Sequence, residues 1–560
     1  MPEAIPVHAV IAHALRDQGV ETLYGLMGDS NIFMVDHYVR ELKGRYVPAV
    51  HESGAVLMAL GHASATGEVG AVTITHGPAL SNAVTALIEG AKGTIPIVLL
   101  CGDTPVEDPD HQQAISQRAL VEATGAGFEQ VKTPATAVSD VATAFRRARL
   151  ERRPIVLNMP TSMMWETTEY KPINNGAPDL STIPAEGDSL NDVIGILASA
   201  RRPLILAGRG AIHAGESLLG LAERIGAPVA TTLKAKGLFN GAAHNLGVFG
   251  TVSTPAAAEV IASTDCILAF GAGLNRFTTA HGKYLEGIRV VQIDDDIRQL
   301  GRRHNPDAML SGDPALVAKT IKYWLDEAEI PSSQATDNID PESLRGGSPM
   351  PRSSNASGTV DYSHALEKIN AALPEDRLFV SDAGRFMTEA WCRIDVCEPK
   401  NSVLSINTGA IGMGMGYAIG AAIARPEHKT LFVCGDGGFM MGGLAEFSSV
   451  VRERLNLVTV ICNDSAYGAE YIQFKDRQMD PSLSTFAWPS FAAMAQSMGA
   501  TGLRVSTMAE LDAALEIVTG TKSPVLLELV LDPAAMPRKH WLSVKLEKTK
   551  ERQKQSILHP

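Results

Sequence analysis

Three α/β domains in a row, each a parallel sheet flanked by helices, are what this sequence predicts, and three observations predict them. The chain has 560 residues; at roughly 100 to 200 residues per domain that is enough for about three, each with its own core. Hydrophobic residues make up 45% and charged residues 20%, a balance that supports folding along most of the length. Short β-rich runs alternate with helical stretches in three successive regions, and such alternation builds a parallel sheet covered by helices, the Rossmann-like arrangement.

The first unit spans 1–170. Apolar positions recur with helical spacing from Val7 to Asp17, and ETLYGL, GAVTIT and IPIVLLCG then read as strands between helices up to about Met159. A polar passage from Thr167 to Asp188 follows. The second unit, 189–330, runs through PLILAGRGAI, PVATTL, CILAFGAG and VVQIDDD. Residues 331–361, crowded with Ser, Pro, Gly and Asn, read as a solvated linker. The third unit occupies 362–537, and 538–560, rich in Lys, Arg and Gln, reads as a tail. An internal echo links the outer units: SGAVLMALGHASA from Ser53 overlays TGAIGMGMGYAIGA from Thr408, pairing Gly61 with Gly416, and each run is followed by a strand and a Gly-containing turn. Two similar folds facing each other account for the echo; so does chance overlap of two Gly/Ala-rich helices.

Charge and cysteine usage narrow the class. The 49 Lys and Arg against 62 Asp and Glu give a net charge of −13, which repels polyanions and leaves no footprint for nucleic acid or an anionic membrane. A small-molecule partner is expected. Cys101, Cys266, Cys392, Cys397, Cys434 and Cys462 form no CxxC pair, and most lie in apolar strand-like runs, as reduced core thiols do. The amino terminus has neither a basic leader nor an uninterrupted apolar stretch, and the uncharged run from Thr408 to Ala424 is broken by glycines. Neither an export signal nor a membrane span is expected, and the expected compartment is the cytoplasm.

The chemistry is concentrated in LFVCGDGGFMMGGLAEFSSVVRERLNLVTVICNDSAYG. A strand ends in Gly435-Asp436-Gly437, a helix follows, and a second strand ends at Asn463-Asp464, with 25 residues between Gly437 and Asn463. In a parallel sheet this β-α-β length sets the carboxyl ends of two strands side by side, where ligands bind. A carboxylate, a second side-chain oxygen and a loop carbonyl are hard ligands of the kind Mg²⁺ takes, with phosphate oxygens completing the octahedron. Gly437 and Gly438, opening a helix, leave N–H groups for the same phosphates. An Asp in a tight turn with an Asn-Asp loop cap is the other reading of these residues, and the spacing favours the metal. A dinucleotide reading of Gly412-x-Gly414-x-Gly416 lacks a leading strand and turn and an acidic residue placed for a ribose.

These residues resemble the cofactor signature of the thiamine diphosphate (ThDP) enzymes of the acetolactate synthase, pyruvate decarboxylase and benzoylformate decarboxylase family. HESGAV, THGPALSN, the middle unit with PVATTL and GTV, and SINTGAIGMGMGYAIGAA fall in that family's order over nearly the whole chain. The resemblance implies a pyrimidine-binding (Pyr) domain, a central domain and a diphosphate-binding (PP) domain, with ThDP and Mg²⁺ as cofactors. It implies that Asp436 binds the metal together with either Asp464 and the Ala466 carbonyl or Asn463 and the Ser465 carbonyl. Gly435, Gly437, Gly438 and the loop Asp382-Ala383-Gly384-Arg385 then face the diphosphate, Gly409 and Ala410 the pyrimidine, and Ile411 the bend of the cofactor, with Asn82 and Tyr467 beside it. Glu52 resembles the acid that hydrogen-bonds N1′ of the pyrimidine; by position alone it is also a first-turn acid facing a helix dipole.

On the substrate side the resemblance implies that Asp29, His111 and Glu470 handle protons, with Gln112 and Gln113 where decarboxylases carry a second His. Trp391, Tyr467 and His76 are expected in the same cleft. The implied reaction is decarboxylation of a short 2-oxo acid followed by capture of the enamine by a proton or a second carbonyl compound. A lyase or acyltransferase acting on sulfoacetaldehyde, a hydroxyketone or an acyl-CoA is the second reading, and an inactive scaffold or regulatory subunit the third. The family also implies a homodimer or homotetramer in which Glu52 of one subunit serves the diphosphate held by the third domain of another. In some members the central domain holds FAD or an ADP-containing ligand and in others it is empty; the Gly spacing of AGRG and FGAG does not decide between them.

Overall fold

A computed structural model describes residues 4–105, 107–108, 110–173, 182, 187–345 and 356–535, so the expected tail 538–560 lies outside the described residues. The N-terminal strands are β1 (Ala4–Pro6), β2 (Thr22–Gly25), β3 (Arg45–Pro48), β4 (Gly70–Ile74), β5 (Ile97–Asp103), β6 (Gly127–Gln130), β7 (Ile155–Pro160) and β8 (Thr167–Glu169). β1 and β8 form a small antiparallel ribbon that the helical spacing from Val7 gave no sign of. The other six make a parallel sheet in the order β3-β2-β4-β5-β7-β6. β4 and most of β5 are buried, as an apolar strand covered by helices on both faces requires.

The central strands, β9 (Pro203–Ala207), β10 (Val229–Thr231), β11 (Asn245–Val248), β12 (Cys266–Phe270), β13 (Arg289–Asp294) and β14 (Ala308–Ser311), form a parallel sheet ordered β11-β10-β9-β12-β13-β14. Its chain reverses direction across the sheet between β9 and β12, the place where such folds bind nucleotides. There the glycines of AGRG and FGAG pack on each other, and a Cβ on Gly208 would lie 2.1 Å from the Gly271 carbonyl oxygen. Backbone approach therefore accounts for these glycines. The expected linker is more ordered than its composition implies: Ala335–Asn338 is a 3-10 turn and Pro341–Arg345 a short helix, because Leu344 finds apolar partners against the central core.

The C-terminal strands are β15 (Leu378–Ser381), β16 (Ser402–Leu404), β17 (Thr430–Gly435), β18 (Leu457–Asn463), β19 (Thr501–Val505) and β20 (Val525–Val530), in the parallel order β16-β15-β17-β18-β20-β19. Counted along the chain, this order is the same as in the N-terminal sheet, so the internal echo is architectural. The N- and C-terminal sheets share one compact unit; the central sheet forms the other, together with Trp391–Ser402.

Within the first unit the helix Glu52–Thr66 crosses the helix Gly414–Ala424 at backbone contact. A Cβ on Gly61 would sit 2.2 Å from the Tyr417 carbonyl oxygen, and a Cβ on Gly420 would sit 1.9 Å from that of Met58. The two contacts are mirror copies, which makes Gly61 the counterpart of Gly420 and not of Gly416. The sequence overlay slipped by one helical turn because the second helix begins only at Gly414, after a loop that turns at Gly409 and Gly412 with φ of 78° and 85°. Gly420→Ala is expected to lower the unfolding midpoint of the first unit by the equivalent of about 3 kcal/mol, since backbone on the facing helix must move. Gly195→Ala, in a helix with open space around the glycine, is expected to be neutral or to stabilise by up to about 1 kcal/mol. Chemical denaturation of both variants checks the contrast.

Candidate active site

β17 and β18 pair in register with Gly435 beside Cys462, so Asp436 and Asn463-Asp464 leave the sheet together. A cleft opens there, walled by Gly384 and Arg385 after β15, by Ile411, by Gly435, Asp436, Gly437 and Gly438, and by Asp464, Ala466, Tyr467 and Glu470. The Asp436 carboxylate accepts hydrogen bonds from the Gly437 N–H at 2.7 Å and from Trp488 Nε1 at 3.1 Å. Burial lifts its pKa to about 6. Asp464 is pushed up to about 7, by burial first and then by the charge of Asp436, against the pull of Arg385. Both are buried acids that lack a full countercharge, which a divalent cation between them would supply.

Asn463 points elsewhere. Its Nδ2 donates to Glu528 Oε1 at 2.9 Å, and its Oδ1 accepts from the N–H and hydroxyl of Ser465 at 3.2 and 3.3 Å. Neither Asn463 nor Ser465, which turns the backbone at φ 54°, lines the cleft, whereas Asp464 and Ala466 do. Among the described residues no group of three or more His, Cys, Asp or Glu side chains is placed to hold a metal ion. The cleft instead offers two carboxylates with the Ala466 backbone beside them, and hard oxygen donors of this kind suit Mg²⁺ completed by phosphate and water. The glycines fit a phosphate beside it, because no side chain has room: a Cβ on Gly437 would meet the Tyr467 ring at 2.5 Å, and one on Gly438 would meet Asp382 Oδ2 at 2.8 Å.

Asp382, expected to face a diphosphate, is turned inward and buried. Its carboxylate accepts from the N–H groups of Ala383 and Gly412 at 2.9 and 2.8 Å and from Ser405 Oγ at 3.2 Å. It thereby fixes the loop that carries Gly409, Ala410 and Ile411. Arg385 remains on the cleft wall and donates to the Pro533 carbonyl at 2.6 Å.

The N-terminal sheet presents its own group at the equivalent edge. Loops after β2, β4 and β5 carry Asp29 with Ser30, His76, and His111 with Gln112 and Gln113. The His76 ring is 2% exposed, with Nδ1 4.0 Å from Asp29 Oδ1 and its centroid 5.6 Å from that of His111. Neither ring nitrogen, nor the buried Ser30 hydroxyl, has a hydrogen-bond partner among the described residues. Buried polar atoms without partners mark a place where a ligand or water belongs. Glu52 opens the helix Glu52–Thr66, and its side chain is 14% exposed. Asn82 Nδ2 donates to its Oε2 at 3.0 Å, so Asn82 anchors the acid. The expected site residues are thus gathered into two groups, since Glu52, Asp29, His111 and Gln112 are not among the walls of the Asp436 cleft. Trp391 falls in the second compact unit and does not line that cleft.

Comparison with known proteins identifies the fold. Three family models match along the chain: the N-terminal TPP binding domain of thiamine pyrophosphate enzymes over residues 6–121, their central domain over 190–321, and their C-terminal TPP binding domain over 382–529. The chain belongs to the thiamine pyrophosphate enzymes. It is therefore a ThDP-dependent enzyme, and the β17–β18 cleft lies in its C-terminal TPP binding domain. Similar proteins include an acetolactate synthase of Mycobacterium leprae, 27% identical over 90% of this chain and 83% of that protein. The large subunit of acetolactate synthase isozyme 2 of Escherichia coli is 26% identical over 93% of this chain and 95% of its own. A sulfoacetaldehyde acetyltransferase of Castellaniella defragrans is 27% identical over 89% and 88%.

The sequence reading of this ThDP enzyme missed three supports. Trp488 orients Asp436, and Phe486 stacks on Trp488 at a ring separation of 4.8 Å and meets Tyr467 edge to face at 4.7 Å. Glu528 holds Asn463 while also accepting from Ser490 Oγ and the Ala492 N–H, both at 3.0 Å. An acid inside the apolar strand VLLELV was the signal for Glu528; Trp488 lies in a loop that carries none. The raised pKa values have a consequence for stability. A buried carboxylate prefers its protonated form, so this contribution is fully present below the unfolded pKa, near 4, and is lost as pH rises through about 7. Asp464→Asn is expected to remove that loss from the metal-free protein, stabilising it by about 2 kcal/mol at pH 8 and by little at pH 4. Unfolding curves at the two pH values measure it, and equal differences at both contradict the geometry.

Proposed function

We propose that the enzyme uses ThDP and Mg²⁺ to decarboxylate a short 2-oxo acid and to join the acyl fragment to a second carbonyl compound. The observation that carries this reading is the pair Asp436 and Asp464 facing one cleft beside a glycine-led helix, with Ile411 on its wall. The likeness to acetolactate synthases over nine-tenths of the chain supports carboligation as the outcome. When bound, the thiazolium of ThDP supplies the electron sink for loss of CO₂.

The chain's own residues have these parts. Asp436, Asp464 and the Ala466 carbonyl hold the metal, and the N–H groups of Gly437 and Gly438 hold phosphate oxygens. Asp382 braces the loop on which Ile411 supports the bend of the cofactor. Glu52, anchored by Asn82, holds a proton at N1′ of the pyrimidine. Asp29, His76 and His111 converge at one edge, where they move protons to and from substrate oxygen or carbon, and Glu470 does so from the rim of the cleft. The active unit is a cytoplasmic homodimer or homotetramer in which the Glu52 edge of one subunit closes the Asp436 cleft of another. Exposed apolar side chains beside each group support this: Val50, 44% exposed, two residues before Glu52, and Met441, 61% exposed, next to Gly412.

The test is carbon NMR of the products from labelled pyruvate, with ThDP and Mg²⁺ present or withheld. Acetolactate that requires both cofactors is the expected result. Acetaldehyde means that a proton captures the fragment instead, and cofactor-dependent turnover of sulfoacetaldehyde in place of pyruvate moves the enzyme toward the acyltransferase side of its relatives. Glu52→Gln is expected to cut turnover by at least about 100-fold while leaving Mg²⁺-dependent ThDP binding intact, whereas Asp436→Ala is expected to abolish that binding; titration of ThDP into each variant separates the two roles.

A further inference from the structure

Two buried glutamates outside the Asp436 cleft and the Asp29–His76–His111 group bind backbone across the interface between the N- and C-terminal sheets. Glu446, 3% exposed and on the helix Leu444–Arg452, accepts through Oε1 from the N–H groups of Val50 and His51, each at 3.0 Å. Its other oxygen accepts from Ser449 Oγ at 3.2 Å. Glu89, fully buried on the helix Val84–Gly93, accepts from the N–H groups of Asn407 and Thr408 at 2.9 and 2.7 Å, and from their side chains at 2.7 and 2.8 Å. The arrangement is reciprocal: each glutamate belongs to one sheet's helical layer and seizes the two residues that lead into the active loop of the other. His51 is followed by Glu52; Thr408 is followed by Gly409, Ala410 and Ile411.

We infer that Glu446 is a positioning residue for Glu52, and that Glu89 has the same relation to the Gly409–Ile411 loop. This rests on the reading of Glu52 as the acid that serves the pyrimidine.

The physical case begins with cost. A carboxylate this deeply buried is retained only where its hydrogen bonds offset its desolvation, and backbone N–H groups at the start of a helix are the donors best placed to do so. Burial raises the pKa of Glu446, while the Val50 and His51 N–H groups pull it back down. The route has also been cleared for it. Gly54 is the residue over which the carboxylate lies, and a Cβ there would be 2.1 Å from Glu446 Oε1. The glycine of HESGAV therefore serves this contact. Further pins hold the same segment from the same helical layer: Arg452 donates to the Pro48 carbonyl, and Arg45 pairs with Glu453 at 3.1 Å. The backbone entering Glu52 thus has its N–H groups bound to a side chain of the other sheet, and the direction in which Glu52 leaves the helix is set there.

Glu446 also follows Asp436 on the same helical segment, separated from it by a single π turn at Phe439–Gly443. One rigid element therefore ends in the metal cleft at its start and in the Glu52 clamp further along.

The experiment uses the full chain. Amide hydrogen exchange of the segment around Val50 and His51, without cofactor, is expected to accelerate by at least about tenfold in Glu446→Ala and in Gly54→Ala, while strand β15 keeps its protection. The second readout is the rate of deuterium exchange at C2 of ThDP in the presence of Mg²⁺, which needs no substrate. Glu446→Ala is expected to slow it by about tenfold in the parent protein and by less than about twofold on the Glu52→Gln background, because a residue acting through Glu52 has nothing left to position. Glu89→Ala, whose effect runs through the other loop, is expected to cost the same on both backgrounds. Unchanged amide exchange at Val50 and His51, or an equal cost of Glu446→Ala on both backgrounds with Glu52→Gln itself slow, overturns the inference alone. A Glu52→Gln protein that exchanges C2 at the parent rate overturns the reading of Glu52 and the inference with it.

Discussion

The rest of the first unit depends on two helices that touch backbone to backbone. Gly61 and Gly420 let the helices Glu52–Thr66 and Gly414–Ala424 cross so closely that no side chain fits between them. Helices that meet this way gain dispersion contacts along both backbones and allow little sliding, because any shift drives a carbonyl into a Cα. The crossing also brings the N-terminal ends of both helices under the facing layer. Only there can Glu446 and Glu89 reach the N–H groups that precede each helix. Small residues at the crossing and acids at its ends are therefore one device: the first sets the distance, and the second sets the rotation.

Burial governs electrostatics in the Asp436 cleft. Asp436, Asp464 and Asp382 are all buried and all held above the usual carboxylate range. They differ in where each faces. Asp382 accepts hydrogen bonds from Ala383, Gly412 and Ser405, is absent from the walls of the cleft and is a fixed part of the scaffold. Asp436 also has a donor on each oxygen, from Gly437 and Trp488, yet it lines the cleft together with Asp464, where two like charges favour a cation. The contrast separates a structural acid from a cleft-lining one with the same residue type and similar burial, and it rests on what each faces.

Most of the architecture was legible because parallel strands buried on both faces leave an unbroken apolar signature, as in VTVIC and PIVLL. The spacing from Gly437 to Asn463 was enough to place Asp436 near Asp464, since a β-α-β unit has few ways to close. What the sequence hid is what depends on side-chain direction. Asn463 and Asp464 are neighbours on one strand end, and only the placement of Glu528 shows that the first is engaged with the sheet. Asp382 and Arg385 sit three positions apart in one turn, yet one faces the core and the other the cleft. The slip of the echo by one helical turn has a similar origin: repeated Gly and Ala fit more than one register, and the loop from Gly409 to Met413 breaks the helical period without changing the composition.

The matching topology of the two sheets sharpens the question of how one scaffold yields two different edges. Both place their loops at the same reversal of strand order, and both are entered by the same reciprocal acid contact. The C-terminal edge then spends glycines and two carboxylates, which suits a metal and phosphates. The N-terminal edge carries Glu52 with Asn82 and a tight group of Asp29, His76 and His111, which suits proton movement at a ring and at a substrate. Symmetry fixes where the edges are, and the residues that break it fix what each edge does. Neither edge holds the other's chemistry, and the clamp that ties each edge to the opposite helical layer keeps the two edges of one chain in a common frame.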